Sequence, residues 1–153
     1  ERDMLDLWDI EKKYYYNPLT KGSNSLKSVL PSALAKSEFL QKKYSKPINQ
    51  INLTSKNFPE DHIWLILDEG AVRDPYKILP SVFEGWTEDQ IETTLSDIED
   101  ISNGGAALIA YGKLQYTDMT QNEIDELTNS LLKYCELDTL AMVMLYEHFK
   151  ELV

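Results

Sequence analysis

Tyr134 and Asp138 stand four residues apart in the segment Tyr134-Cys135-Glu136-Leu137-Asp138, a spacing that puts a phenol and a carboxylate one helical turn apart. A hard divalent cation takes such a carboxylate as an oxygen ligand, and a neighbouring tyrosine hydroxyl can orient a metal-bound water for attack on phosphorus. The same two residues also have a plain structural use. An acidic side chain near a helix start complements the helix dipole, and a tyrosine packs well in a core. With nine Tyr among 153 residues the spacing alone decides nothing, and both readings stand.

The element that must position the pair has the clearest periodicity in the chain. Leu137, Leu140, Ala141, Met144, Leu145, Phe149 and Leu152 recur at spacings of three and four, which predicts a helix from Leu137 to Leu152 with Asp138 half shielded at the border of its apolar stripe. Ahead of it, Thr120-Gln121-Asn122-Glu123 is a capping box, so a helix is expected from Gln121 to about Tyr134. No Gly or Pro separates the two, and their continuity is open. Gly104-Gly105-Ala106-Ala107-Leu108-Ile109-Ala110-Tyr111-Gly112 reads as a further helix. Its small residues admit a close neighbour, or its Gly-Gly start offers backbone N–H groups to an anion.

Towards the N-terminus, Asp3 to Tyr14 reads as an amphipathic helix ending before Asn17-Pro18. A short helix is expected from about Asn24, ended or kinked at Pro31, and another helical piece from Ala33 to Tyr44. From Ser45 to about Ser102 the pattern is broken by Pro47, Pro59, Pro75 and Pro80. There Ile63-Trp64-Leu65-Ile66-Leu67 is the one strand-like run, and Glu84 to Asp100 reads as an acidic, solvated helix. So long an irregular stretch in a compact domain often serves as a binding or lid element. The expectation is a mainly α fold in a single domain, residues 1–153: a basic helical part (1–58), an irregular acidic insertion (59–103) and C-terminal helices (104–153).

A chain that is 42% hydrophobic and 27% charged can bury a core and is not of disordered composition. It has no apolar run of the roughly eighteen residues that a membrane span needs and no signal-peptide pattern, which predicts a cytoplasmic protein without a membrane partner. Cys135 is the single cysteine. An intrachain disulfide and a cysteine metal cluster are therefore excluded, and within a helix Cys135 is expected to be a small buried apolar side chain. His62 and His148 lack ligand partners at useful spacing, and Ser23 and Ser25 lack a His or Asp relay for nucleophilic chemistry.

The net charge of -11 hides a segregation. From Lys12 to Phe58 nine Lys face one acidic residue, Glu38, whereas from Pro59 to Val153 five basic residues face twenty acidic ones. The basic segment, which includes Lys21 and Lys27, is interleaved with Tyr14, Tyr15, Tyr16, Phe39, Tyr44 and Phe58. It carries the charges and stacking groups of a nucleic-acid groove, or it is a basic layer that docks on the acidic half. The chain begins Glu1-Arg2-Asp3 without an initiator Met and is expected to be a piece of a longer protein.

Four segments carry a resemblance. Gly22-Ser23-Asn24-Ser25-Leu26-Lys27-Ser28-Val29-Leu30-Pro31, Asp74-Pro75-Tyr76-Lys77-Ile78-Leu79-Pro80, Gly104-Gly105-Ala106-Ala107 and Tyr134-Cys135-Glu136-Leu137-Asp138-Thr139-Leu140-Ala141-Met142-Val143 together resemble, in order and over nearly the whole chain, the C-terminal part of the bacterial domain-of-unknown-function family 2779. That family in turn is similar to the RNase H-like 3'-5' exonucleases of the DEDD type, in which four acidic residues from three motifs hold two metal ions and the last motif is Tyr-x-x-x-Asp. The variant with His in place of Tyr would need a His near Lys133, where there is none.

The resemblance implies that Asp138 is a metal ligand, that Tyr134 positions the nucleophilic water, and that the Ser25-Leu26-Lys27 segment meets a phosphate. It also implies the C-terminal helical part of an RNase H-like α/β nuclease domain, whose parent would hydrolyse phosphodiester bonds of single-stranded DNA or RNA from a 3' end with Mg or Mn. The first two acidic motifs would lie upstream of Glu1. Asp68-Glu69 has the wrong spacing and the wrong place in the order to replace them. One carboxylate cannot hold two metals, so this chain alone is expected to be inactive and to hold no ion tightly. The alternative is a non-catalytic helical module that binds protein or nucleic acid, with Tyr134 and Asp138 structural. The nuclease reading predicts that Asp138 faces a cleft open to missing upstream strands, with an apolar surface left uncovered by truncation and able to drive a homodimer; the module reading predicts a closed core with Asp138 buried or salt-bridged.

Overall fold

A computed structural model describes residues 6–68, 70–79 and 105–153, and among these the fold is mainly helical. Its α-helices are α1 (Leu7–Tyr14), α2 (Leu26–Lys36), α3 (Glu38–Tyr44), α4 (Gly105–Tyr116) and α5 (Gln121–Glu151). The expected helix over Glu84 to Asp100 lies outside the described residues. No helix among the described residues is long and apolar enough to cross a membrane.

Helix α5 joins the two C-terminal helices that the sequence left open into one of 31 residues, a rod roughly 46 Å long at about 1.5 Å per residue. Its start follows the capping box: the Thr120 hydroxyl accepts from the Glu123 N–H at 3.4 Å, and the Glu123 carboxylate accepts from the Thr120 N–H at 2.8 Å. With no Gly or Pro across the junction, nothing in the backbone interrupts the ladder. Leu137, Ala141, Met144 and Leu145 are buried against Val29, Leu30, Ala33 and Leu34 of α2 and Leu40 and Tyr44 of α3. Cys135 is exposed rather than buried. It lies two residues before Leu137, about 200° around the helix from that core position.

Two N-terminal boundaries differ from the expectation, each for a local reason. Helix α2 runs through Pro31 to Lys36. Proline at that position removes only the bond to the carbonyl of Lys27 in the first turn, and the buried residues on either side hold the helix together against an interior-proline cost of about 3 kcal/mol. The break comes at Ser37, which ends α2 and caps α3: its hydroxyl accepts from the Leu40 N–H at 3.1 Å and donates to Glu151 of α5.

The apolar run Ile63 to Leu67 is not a regular strand. It contributes a single bridge, Pro47 with Ile63, and then β1 (Leu67–Asp68), which pairs antiparallel with β2 (Ala71–Val72). Trp64 and Leu65 enter the core while Ile63, Ile66 and Leu67 are exposed, so the run supplies two buried anchors to an irregular segment. That segment is tied to the helices by the Leu65 N–H bond to the Tyr44 carbonyl at 3.0 Å and by Asn57, whose amide donates to Glu136 of α5 at 2.6 Å.

Candidate functional site

Three separate stretches deliver side chains to one place on α5. Lys27 sits in the first turn of α2. The chain enters that turn through Lys21 and Gly22, both with positive φ of 52° and 82°, a conformation that glycine adopts without steric cost. Ser25 is the N-cap residue but makes no side-chain capping bond. Tyr76 lies in a 3-10 turn, Pro75–Lys77, that is built from its own sequence. Pro75 fixes the first helical φ, and the Asp74 carboxylate accepts from the Tyr76 N–H at 3.1 Å. Tyr134 and Asp138 come from α5, flanking the core position Leu137.

The Tyr76 hydroxyl donates to Asp138 Oδ1 at 2.6 Å, a charge-assisted bond of the short, strong kind. The rings of Tyr76 and Tyr134 are 6.0 Å apart and tilted at 53°. Over both lies the Lys27 ammonium, its Nζ 5.2 Å from the Tyr76 ring centroid and 4.9 Å from that of Tyr134, within the range of cation–π attraction. Burial, then the hydrogen bond to Asp138 and the charge of that carboxylate, push the Tyr76 phenol well above the ordinary tyrosine range. It therefore stays a neutral donor at physiological pH and holds Asp138 in one orientation.

Of the residues singled out in the sequence, Lys27, Tyr134 and Asp138 are brought together and are half-buried. Lys21 and Ser25 are exposed, and among the described residues no hydrogen bond or ring contact joins them to the cluster. Tyr76 belongs to the cluster although the sequence singled out its segment only as part of the resemblance. The signal that could have found it is the Asp-Pro-Tyr order, which caps a turn and aims the ring that follows. Asp138 meets neither extreme of the two alternatives: it is half-buried, and its observed partner is a phenol.

The described residues do not by themselves fit a divalent cation. Magnesium is octahedral and calcium takes roughly 6–8 oxygens, whereas Asp138 brings one carboxylate, already accepting from Tyr76, and the Asp74 carboxylate is engaged in its turn. Among the described residues no group of three or more His, Cys, Asp or Glu could hold a metal ion. What the cluster offers an oxyanion is the Lys27 ammonium and the Tyr134 hydroxyl, while the Tyr76 hydroxyl is given to Asp138. Comparisons with family models, with curated proteins and with solved structures find no match to this chain.

Proposed function

We propose that this chain is the C-terminal part of a metal-dependent nuclease of the RNase H-like 3'-5' exonuclease type, contributing phosphate-handling and one metal-ligating carboxylate but no activity alone. The observation that carries the proposal is the convergence of Lys27, Tyr76, Tyr134 and Asp138. They come from three segments separated by 49 to 58 residues, each of which resembles the same family, and a structural role for any one of them would not require the others. Lys27 binds a phosphodiester oxygen, Tyr134 donates to the phosphate or to the attacking water, and Tyr76 fixes Asp138 beside them. The Mg or Mn implied by the resemblance would need acidic residues from upstream segments, and Asp138 would be one ligand among several.

The test is Mn-dependent digestion of a 5'-labelled single-stranded oligonucleotide by the longer polypeptide that carries those segments, with Asp138→Asn beside it. A ladder of 3'-shortened products that disappears in the variant is expected. If both proteins are inactive on DNA and on RNA, the nuclease proposal falls, and a non-catalytic module with a structural Asp138 takes its place.

A further inference from the structure

Beside the cluster, on the adjoining face of α5, lies a cavity of about 210 Å³. Three aromatic rings form one wall. Phe58 stacks on His62 with centroids 4.3 Å apart and planes at 28°, and Trp64 meets both edge-on at 4.7 and 4.8 Å. Leu79 and Leu137 contribute apolar surface opposite, and Lys133 stands at the rim with its Nζ 5.7 Å from the Phe58 centroid. One further feature points to a ligand with a polar edge. Burial and the charge of Lys133 hold the His62 imidazole below its ordinary range, so at neutral pH it offers one donor and one acceptor.

Size and charge narrow the occupant. Pockets for drug-sized molecules are roughly 300–1,000 Å³, so this one accommodates a single ring system. Its aromatic wall matches a π-face, and Lys133, the one cation among its lining residues, suits an anionic group attached to that ring, with Asp61 and Glu136 acting on His62 from outside the lining. Lys133 and Leu137 immediately precede Tyr134 and Asp138, and Pro75, which also lines the cavity, precedes Tyr76. Cavity and cluster therefore share a helical turn and a loop, as a ring and its adjoining phosphate would require. We infer that the cavity receives one unstacked nucleobase of a single-stranded nucleic acid whose backbone passes over Lys133 and Lys27. This rests on the phosphodiester reading above.

The chain has two histidines, so ring signals of His62 are resolved by NMR and assigned with His148→Gln. The probes are an eight-residue oligothymidylate and an eight-residue strand of abasic sites with the same charge. The expected result is that the oligothymidylate shifts the His62 signals and leaves those of His148 in place, that the abasic strand binds about tenfold more weakly without moving His62, and that Phe58→Leu abolishes the difference between the two strands. Lys27→Gln weakens both strands equally. Equal affinity for the two strands with His62 unmoved, together with weakening of both by Lys27→Gln, overturns the base pocket and leaves the phosphate cluster standing. No binding of either strand by the folded chain overturns both.

Discussion

Tyr44 and Tyr76 each donate a hydroxyl hydrogen bond to a carboxylate of α5, Tyr44 to Glu147 at 3.0 Å and Tyr76 to Asp138 at 2.6 Å. At about 100° per residue the two carboxylates flank the apolar stripe of the helix from opposite sides. Burial and the carboxylate push both phenols up. The difference lies in how deeply the phenol is enclosed. Lys43 forms a salt bridge with Glu147, and Tyr44 is fully buried in the core, so charge and hydroxyl are used up in fastening α3 to α5. At the other site the Lys27 ammonium lies over the faces of Tyr76 and Tyr134, and the group is half-buried. The same chemistry thus gives a clamp where the phenol is sealed in the core and a candidate oxyanion site where the phenols are half-buried.

Both sites depend on the core between α2 and α5, so the largest expected effect removes that common support. Leu30→Ala at a fully buried position should cost about 2–5 kcal/mol, seen as a lower urea midpoint with unchanged slope. A smaller loss would mean that the α2–α5 contact collapses readily around a void. Next, Tyr44→Phe should cost about 1–3 kcal/mol because it strips a buried partner from Glu147, and Tyr76→Phe about 0.5–1.5 kcal/mol because solvent can replace it at Asp138. The reverse order would dissolve the contrast. Asp138→Asn should leave stability within about 1 kcal/mol of wild type, since an amide oxygen still accepts from Tyr76.

Acid should weaken the fold on both sides of α5. Burial holds the imidazoles of His148, packed near Tyr15 and Phe149, and of His62 below their usual 6.5. A group depressed in the folded state contributes stability that is complete above its unfolded value and is lost as pH falls through the folded one. The melting temperature should therefore hold from pH 8 to about 6.5 and decline below it, and His148→Gln should flatten part of that decline. A decline that survives in the double variant with His62→Gln would assign it to other groups. The smallest effect concerns association. Leu108, Tyr111 and Leu132 are exposed on α4 and α5, and a concentration-dependent shift in sedimentation would show a homodimer formed there, while monomers at high concentration would exclude it.

The helices were legible where the physics is local. The capping box at Thr120 and the three-four spacing after Leu137 act within a few residues of themselves, and both appear in α5 as read. What failed depended on partners distant in sequence. Ile63 to Leu67 looks like a strand because its residue types suit one, yet only Leu67 joins a strand pair, and Ile63, Leu65 and Ile66 meet Pro47, the Tyr44 carbonyl and the Arg73 N–H one by one rather than along one neighbouring strand. Pro31 reads as a stop only if packing is ignored. Within the candidate site, Tyr134 and Asp138 were found by spacing and Lys27 by resemblance. Tyr76 was missed because a side chain delivered by a turn 62 residues before Asp138 leaves no periodic trace.

The most direct test of the central contrast compares Lys27→Gln with Lys43→Gln in binding of a single-stranded oligonucleotide across a salt series, with both variants folded at the temperature used. The expected result is that Lys27→Gln weakens binding and lowers the salt slope by about 1 with a small change in melting temperature. Lys43→Gln should lower the melting temperature and leave affinity and slope as in the wild type. Equal effects of the two on binding, or none from Lys27→Gln, would contradict the assignment of the Lys27, Tyr76, Tyr134 and Asp138 cluster to phosphate.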